Sequence, residues 1–427
     1  MSKFRGFFLI WLGQTASVLG TAMTTFALTI WAWDKAGRAA PLAFIAAAQF
    51  VTYLLLTPVA GVVVDRYSRK KVMLLADLGA GLVSLLIYLL FATNQLEIWH
   101  LYLTTFIVGG LEAFHLPAYV TAVTTLLPKE EYGRAAGMRS FSYSLANVLA
   151  KPLAGLLIGI IGVGGIILID LTTFLLATLV LAFVPVPLPE QSAETADFSL
   201  RQMLFGFGYI FRRPELRGLQ ATLTVTNFFA AFTEYAILAA FVLARTAGNE
   251  LILGTVQASA AAGALCGGAL ASLWGGPKRK VRALLLTLAA GFVFNNVLFG
   301  LGQGVWWWSI MLFLGATMTP ILVSAFYGLW QAAIPADVQG RVFAARDILV
   351  DLPVLLGTLL AGPLADAVFE PALLPGGKLA NLVGGLVGNS AGSGMALMFL
   401  LFGGVGTAVS LAGFGLKSLQ KLEEQNA

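Results

Sequence analysis

The chain has 427 residues, of which 58% are hydrophobic and only 11% charged, a composition that excludes a water-soluble globular domain and indicates a membrane protein. The net charge of +5 does not indicate nucleic-acid binding, because the cations fall in short stretches between apolar runs. One cysteine excludes an internal disulfide, and with only two histidines besides it we expect no metal site.

Long apolar runs predict twelve membrane-spanning helices, because about 20 apolar residues suffice to cross a bilayer. The predicted spans are residues 7–33, 42–64, 72–93, 99–123, 135–160, 165–184, 217–245, 251–274, 282–302, 305–330, 342–368 and 393–416. With the N-terminus inside, most of the 26 Lys and Arg residues fall on the cytoplasmic side. This asymmetry predicts that both termini are cytoplasmic.

A short polar stretch separates the second and third spans. It runs from Gly61 to Lys71 and reads G-V-V-V-D-R-Y-S-R-K-K. A loop this basic is typical of the cytoplasmic side. Its spacing, Gly-x-x-x-Asp-Arg-x-x-Arg-Lys at this position, resembles the signature loop of the major facilitator superfamily.

The two halves of the chain repeat a pattern. Leu127-Pro128-x4-Gly133-Arg134-x4-Arg139 is matched by Ile334-Pro335-x4-Gly340-Arg341-x4-Arg346. We therefore expect an N-terminal six-helix bundle over residues 1–184, a cytoplasmic linker over 185–216 and a C-terminal six-helix bundle over 217–427. In the linker, residues 198–213 predict an amphipathic helix lying on the inner leaflet. The predicted fold class is an all-α membrane protein of twelve transmembrane helices in two pseudo-symmetric bundles, with the substrate site between them.

Several phrases at helix ends and in loops narrow the resemblance. They are F-R-G-F-F-L-I-W-L-G-Q at 4–14, Y-I-F-R-R-P-E-L-R-G at 209–218 and P-A-D-V-Q-G-R-V-F at 335–343. They resemble the drug and siderophore efflux branch of that superfamily, which includes macrolide efflux proteins and the enterobactin exporter. The resemblance implies a monomeric secondary active transporter of the bacterial cytoplasmic membrane that exports an amphipathic organic compound. It also implies alternating access and proton antiport, with no cofactor besides the proton gradient.

Charges within the spans mark the candidate coupling and substrate residues, because a charge at the bilayer centre costs about 2.5–3.5 kcal/mol on insertion scales. Glu112 in span four and Lys151 in span five lie at similar depth, so they can form a pair, either as a structural ion pair or as a proton or substrate site. His115 lies one turn from Glu112 and is either a proton relay or a packing residue. Related pumps carry an arginine in span four that is absent here, and Lys151 departs from their span-five pattern; this lysine can attract an anionic substrate. Glu234 in span seven and Asp170 in span six are further acidic candidates.

Two larger sets complete the predictions. The resemblance assigns the signature loop to a cytoplasmic gate, for which the candidates are Gly61, Asp65, Arg66, Arg69, Asp77, Arg134, Arg139, Arg341, Arg346, Asp347 and Asp351. Cavity-lining candidates are Gln14, Thr21, Thr25, Gln49, Tyr53, Asn147, Phe228, Asn295 and Trp330.

Alternative functions stay open from the sequence. A lipid or lysolipid translocator and an exporter dedicated to one metabolite fit the same fold. A membrane-embedded enzyme needs a nucleophile–base pair or a metal constellation that this chain lacks, so we expect no catalytic residues. A sensor with this fold is a further alternative, and it binds a compound without moving it.

Overall fold

The computed structural model describes residues 3–128, 131–185, 200–274, 277–335 and 338–426. Within these ranges the side chains of some residues, among them that of Asp65, lie outside the description. The described backbone is almost entirely helical and contains no strand. This all-α architecture confirms the predicted fold class.

The helices follow one another with short connections. The first five are α1 (Lys3–Ala36), α2 (Ala39–Arg66), α3 (Arg69–Ala92), α4 (Ile98–Leu126) and α5 (Tyr132–Phe183). The next are α6 (Leu200–Arg212), α7 (Pro214–Ala230), α8 (Leu238–Arg245), α9 (Glu250–Trp274), α10 (Lys280–Phe292), α11 (Phe299–Leu301) and α12 (Val305–Ala333). The last are α13 (Gln339–Leu364), α14 (Glu370–Leu373), α15 (Ala380–Val387), α16 (Ser393–Ala412) and α17 (Lys417–Asn426).

Eleven segments of the described chain are long and apolar enough to cross a membrane. One of them, Gly137–Phe183, has 47 residues and covers both the fifth and the sixth predicted spans. At about 1.5 Å per residue it is ~70 Å long, whereas the hydrocarbon core is ~30 Å thick. Gly162 interrupts it with a φ of 69°, which favours glycine. The segment therefore holds two crossings, and the eleven segments contain the twelve predicted spans.

Three π-helical segments interrupt helices of the C-terminal half. They are Ala231–Ile237 between α7 and α8, Val293–Leu298 between α10 and α11, and Ala365–Phe369 between α13 and α14. A π turn contains an extra residue within the helix and occurs frequently at functional sites. The first two carry polar side chains that are described with the site.

The described residues form two compact units. One comprises residues 3–36 and 44–185, and the other comprises 37–43 and 200–426. The first unit has an apolar core that includes Phe7, Met73 and Leu181, and the core of the second includes Leu284 and Leu329. Each unit thus has its own apolar core.

The helix predicted at residues 198–213 is present as α6. Its Ile210 is fully buried in the core of the second unit. Gly206 lies so close to α13 that a Cβ there would overlap the carbonyl oxygen of Arg341. Helix α6 therefore packs against α13. Most of the remaining linker, 186–199, lies outside the described residues, so the domain limits stay a prediction.

Two carboxylates of the second unit cap helices. Asp366 accepts hydrogen bonds from the backbone N–H groups of Ala39 and Ala40, at 2.9 and 2.8 Å, in the first turn of α2. Glu370 accepts from the backbone of Gly392 and Met395 at the start of α16. A carboxylate at a helix N-terminus satisfies free N–H groups and opposes the helix dipole. These two acids therefore have a structural role.

Helices α9 and α12 approach each other closely through glycines. A Cβ on Gly263 would overlap the carbonyl of Phe313, and one on Gly267 would overlap that of Thr317. Small residues four apart allow such close packing, and van der Waals packing is one of the forces that associate helices in a bilayer. The adjacent Gly268 has room, since a Cβ there would meet only Pro320 at 4.0 Å.

We expect Gly267→Ala to destabilise the protein and Gly268→Ala to leave it unchanged or slightly more stable. The first change forces two backbones apart, an overpacking cost of about 1–3 kcal/mol. The second removes a glycine from a helix interior at no steric cost, a gain of up to about 1 kcal/mol. Thermal unfolding of the detergent-solubilised variants measures both. Equal midpoints for the two variants would contradict the α9–α12 packing.

Candidate functional site

A pocket of about 690 Å³ lies within the first unit, between helices α2, α4 and α5. Its walls include Gln49, Phe50, Tyr53, Glu112, Arg139 and Tyr143. Aromatic surfaces with a few polar and charged groups are typical of sites for small organic molecules. The pocket therefore suits a compound that is mostly apolar and carries a few polar groups.

Glu112 is the only acidic residue among the described residues that line this pocket. Its Oε2 accepts a hydrogen bond from Nε2 of Gln49 at 3.1 Å. The neighbouring glycines explain why the two helices meet here. A Cβ on Gly109 would overlap the carbonyl of Gln49, and one on Gly110 would press on Thr52. The Gly-Gly pair thus brings α4 against α2 and sets Glu112 beside Gln49.

The opposite wall is the face of α5 that carries Arg139, Ser140, Tyr143 and Ser144. The structure records no ion pair within 4.0 Å between Arg139 and Glu112, although both line the pocket. One cation and one carboxylate therefore line the pocket without a recorded ion pair between them. The sequence assigned Arg139 to the gate and did not identify Tyr143, although these residues lie one turn apart on α5.

Lys151 lies two turns beyond the pocket on α5 and does not pair with Glu112. It is partly buried, and the structure records no hydrogen bond, ion pair or ring contact from it to another described residue. Glu112 is occupied by Gln49 instead. The predicted Glu112–Lys151 pair is therefore not formed in this structure.

His115 pairs with Asp77 of α3. Its Nε2 lies 3.1 Å from Oδ1 of Asp77, and the imidazole stacks on Tyr119. Gln14 of α1 donates from Nε2 to Oδ2 of the same carboxylate at 3.1 Å. Asp77 is 6% exposed, so this cluster joins three helices in the interior of the first unit. Helical spacing alone had associated His115 with Glu112.

Asp170 is 1% exposed and is surrounded by hydroxyl groups. Thr21 of α1 donates to Oδ1 at 2.9 Å, and Ser84 of α3 donates to Oδ2 at 3.3 Å. Gly20 allows the close approach, since a Cβ there would meet the Asp170 backbone at 3.1 Å. The carboxylate is not among the pocket residues, and it links α1, α3 and α5.

Glu234 forms a polar cluster in the second unit. Its Oε1 lies 3.5 Å from Nδ2 of Asn295 and 3.3 Å from Nδ2 of Asn296. Thr233 donates to Oδ1 of Asn296. Glu234 and Thr233 lie in one π segment and both asparagines in another. Asn227, two turns earlier, donates to the Leu223 carbonyl of its own helix.

The predicted gate residues have varied environments. Arg69 donates to the Thr121 carbonyl at 3.0 Å, and Arg66 is exposed. Arg134 lies 3.6 Å from Glu131 and over the ring of Phe4. Arg341 is exposed, with its guanidinium over the ring of Phe205; Gly61 lies in α2, and the side chain of Asp65 is outside the described part of the chain. The gate network itself stays a prediction.

Arg346 is a core residue of the second unit. It is 2% exposed and forms an ion pair at 2.7 Å with Asp347, which is exposed. Its guanidinium lies 4.6–5.6 Å from the ring centres of Phe326, Tyr327, Trp330 and Phe343. Asp351, one turn further, is partly buried. Arg346 thus fastens α12 to α13.

Of the predicted cavity-lining residues, the structure brings Gln49 and Tyr53 to the pocket. Gln14 and Thr21 hold Asp77 and Asp170. The remaining members lie elsewhere: Thr25 bonds to its own helix, Asn147 is exposed on α5, Phe228 packs against Phe232, and Asn295 contacts Glu234. The placement of Trp330 on a cavity wall is wrong. Its side chain is 0% exposed, because it packs in the core beneath Arg346.

Among the described residues, no group of three His, Cys, Asp or Glu side chains is arranged to hold a metal ion. The polar groups of the pocket are suited to hydrogen bonds, charge pairing and proton exchange. Together with the apolar spans, they define a multi-pass membrane protein with an internal amphipathic pocket.

Comparison with known proteins identifies the family. A family model described as the Major Facilitator Superfamily matches residues 10–358. The chain therefore belongs to the Major Facilitator Superfamily and is a membrane transporter of small molecules.

Individual relatives support this assignment. Macrolide efflux protein A of Streptococcus pyogenes is 26% identical over 370 residues, which cover 85% of this chain and 90% of the relative. The enterobactin exporter EntS of Shigella flexneri is 28% identical over 313 residues, which cover 72% of each chain. The crystal structure of a bacterial homologue of the human lysosomal transporter Spinster matches with a TM-score of 0.70 and 15% identity. The match covers 99% of this chain and 98% of the Spinster homologue, and it shows similarity of the fold alone.

Proposed function

We propose that this transporter exports an amphipathic organic compound, such as a drug, a macrolide, a siderophore or another secondary metabolite. The observation that carries the proposal is the pocket of the first unit, with its aromatic walls, one carboxylate and one guanidinium. The apolar body of such a molecule can pack against the aromatic walls, and its polar groups can bind the carboxylate and the guanidinium. The relatives named above, a macrolide efflux protein and an enterobactin exporter, agree with export of such compounds.

Export is driven by proton antiport, with Glu112 as the coupling carboxylate. A coupling group must exchange its proton with water and must sense the substrate. Glu112 lines the pocket and is exposed, whereas Asp170 is almost completely buried. Protonation removes the charge that a cationic or hydrogen-bonding part of the substrate meets in the pocket. In an alternating-access cycle, proton and substrate then use the same carboxylate in turn.

The protein works as a monomer in the bacterial cytoplasmic membrane, with both termini in the cytoplasm. The Lys and Arg distribution of the sequence supports this orientation. The cytoplasmic gate is formed by the signature loop with Asp65, Arg66 and Arg69.

Proton movement in proteoliposomes tests the proposal. The full-length protein is reconstituted with an internal pH-sensitive dye and an imposed pH gradient, and macrolides, cationic dyes and catecholate siderophores are added in turn. We expect at least one compound to accelerate dissipation of the gradient relative to protein-free liposomes. If several unrelated compounds act, the protein is a multidrug exporter; if one acts, it is a dedicated exporter. A gradient that no compound affects would contradict antiport.

A further inference from the structure

We propose that Lys151 binds an anionic group of the substrate, so that the exported compound is an amphipathic anion. The inference rests on the proposed function, because it narrows the class of compound that the pocket exports. Its basis is an imbalance of charge on the pocket face of α5. That face carries Arg139 and Lys151, and the pocket supplies one carboxylate, Glu112.

The spacing along α5 puts Lys151 on the face that lines the pocket. Arg139, Ser140, Tyr143 and Ser144 are pocket residues. At 100° per residue, Lys151 falls within the arc that these four occupy, seven residues after Ser144. Seven residues correspond to a rise of ~10 Å. A substrate whose apolar body fills the pocket can therefore reach Lys151 with a head group at one end.

Among the described residues of the first unit, none forms a recorded ion pair with the ammonium group. Glu112 is held by Gln49, Asp77 by His115 and Gln14, and Asp170 by Thr21 and Ser84. None of these three acids is recorded in an ion pair with Lys151. A lysine within a membrane-spanning helix costs free energy unless a counter-charge or water accompanies it.

A carboxylate, sulfonate or phosphate on the substrate would supply the missing negative charge. Lysine presents a compact ammonium with three donors on a flexible stem, so it accepts any of these anionic groups without a fixed geometry. The charged Glu112 carboxylate repels an anionic head group, so that group is directed to Lys151, and a hydrogen-bonding part of the substrate competes with the proton at Glu112.

A matched pair of probes tests the charge preference. Pyrenebutyrate and pyrenebutanol have the same aromatic body and differ in the head group, which is a carboxylate in one and a hydroxyl in the other. The full chain is placed in nanodiscs, and binding is followed by energy transfer from its tryptophans to pyrene, with empty nanodiscs subtracted. The measured quantity is the ratio of the two dissociation constants on the same sample. An unfolded fraction of the protein affects both measurements equally and therefore cancels from the ratio.

We expect the wild type to bind pyrenebutyrate about tenfold more tightly than pyrenebutanol, as one added charge–charge contact of ~1.4 kcal/mol would give. Lys151→Gln should bring the ratio close to one, and Lys151→Arg should retain it. A wild-type ratio of one, an unchanged ratio in Lys151→Gln, or no binding of either probe would overturn the inference. Each of these outcomes leaves the antiport proposal standing, because the proteoliposome assay tests that proposal separately.

Discussion

Glu112→Gln is expected to abolish compound-driven proton movement in proteoliposomes, lowering it to the level of protein-free liposomes. Glutamine keeps the volume of the side chain and can still accept a hydrogen bond from Gln49, which donates to Glu112 at 3.1 Å in the wild type. It cannot bind or release a proton. The pocket therefore persists while the proposed coupling group is lost, and compound binding should continue.

Two controls identify the cause of that loss. Gln49→Ala removes the hydrogen-bond donor but keeps the carboxylate, so proton movement should continue at a reduced rate. Asp170→Asn alters a carboxylate that is 1% exposed and held by Thr21 and Ser84. If Asp170→Asn abolishes coupling and Glu112→Gln does not, the coupling carboxylate is Asp170 and the assignment to the pocket is wrong.

Arg346→Ala is expected to destabilise the second unit by about 3 kcal/mol or more. The side chain is 2% exposed, and four aromatic rings surround its guanidinium. Truncating a large buried side chain costs about 2–5 kcal/mol, and a desolvated cation–π contact contributes up to about 2 kcal/mol. Its partner Asp347 is exposed, so that carboxylate is left in a hydrated position and adds little to the cost.

Thermal unfolding of the detergent-solubilised protein, followed by size-exclusion chromatography, measures this effect. Arg282→Ala is the matched control, because Arg282 is an exposed arginine in α10 of the same unit. We expect its midpoint to equal that of the wild type. A midpoint for Arg346→Ala within about one degree of the control would show that the aromatic surroundings do not depend on the guanidinium, given the several degrees expected for such a loss.

The sequence predicts the spans well, because the thickness of the bilayer fixes how many apolar residues a crossing needs. The one difference, a single segment over 137–183, arises because helical hydrogen bonding continues past Gly162 while the chain changes direction there. The sequence also singles out Glu112 as a candidate, since a carboxylate within an apolar run requires a partner or a function, and the structure places it on the pocket wall.

The hydrogen-bond and ion-pair partners of the candidate residues could not be predicted from the sequence, because they depend on contacts between residues distant in the chain. Depth along the helix suggested Lys151 for Glu112, but the close approach at Gly109 brings Gln49 to it instead. Helical spacing likewise suggested Glu112 for His115, whereas α3 supplies Asp77 at 3.1 Å. Spacing within one helix shows which side chains share a face, and it contains no information about the helix opposite.

The internal repeat does not predict side-chain environments either. Arg139 and Arg346 occupy equivalent positions in the repeated pattern, and equal roles were expected. Arg139 lines the pocket of the first unit, while Arg346 is enclosed by aromatic residues of the second. The repeat places an arginine at both positions, but the neighbouring side chains determine what each arginine contacts.

The π segments of the second unit affect how that unit can change in length during evolution. Glu234 lies in one of them, and Asn295 and Asn296 lie in another. Loss of a single residue from residues 235–237 would restore a regular α-helix and rotate the preceding part, with Glu234, by ~100°. The carboxylate would then leave both asparagines, although every one of these three residues would still be present. During evolution, these π segments should therefore tolerate substitutions more readily than the deletion of a single residue.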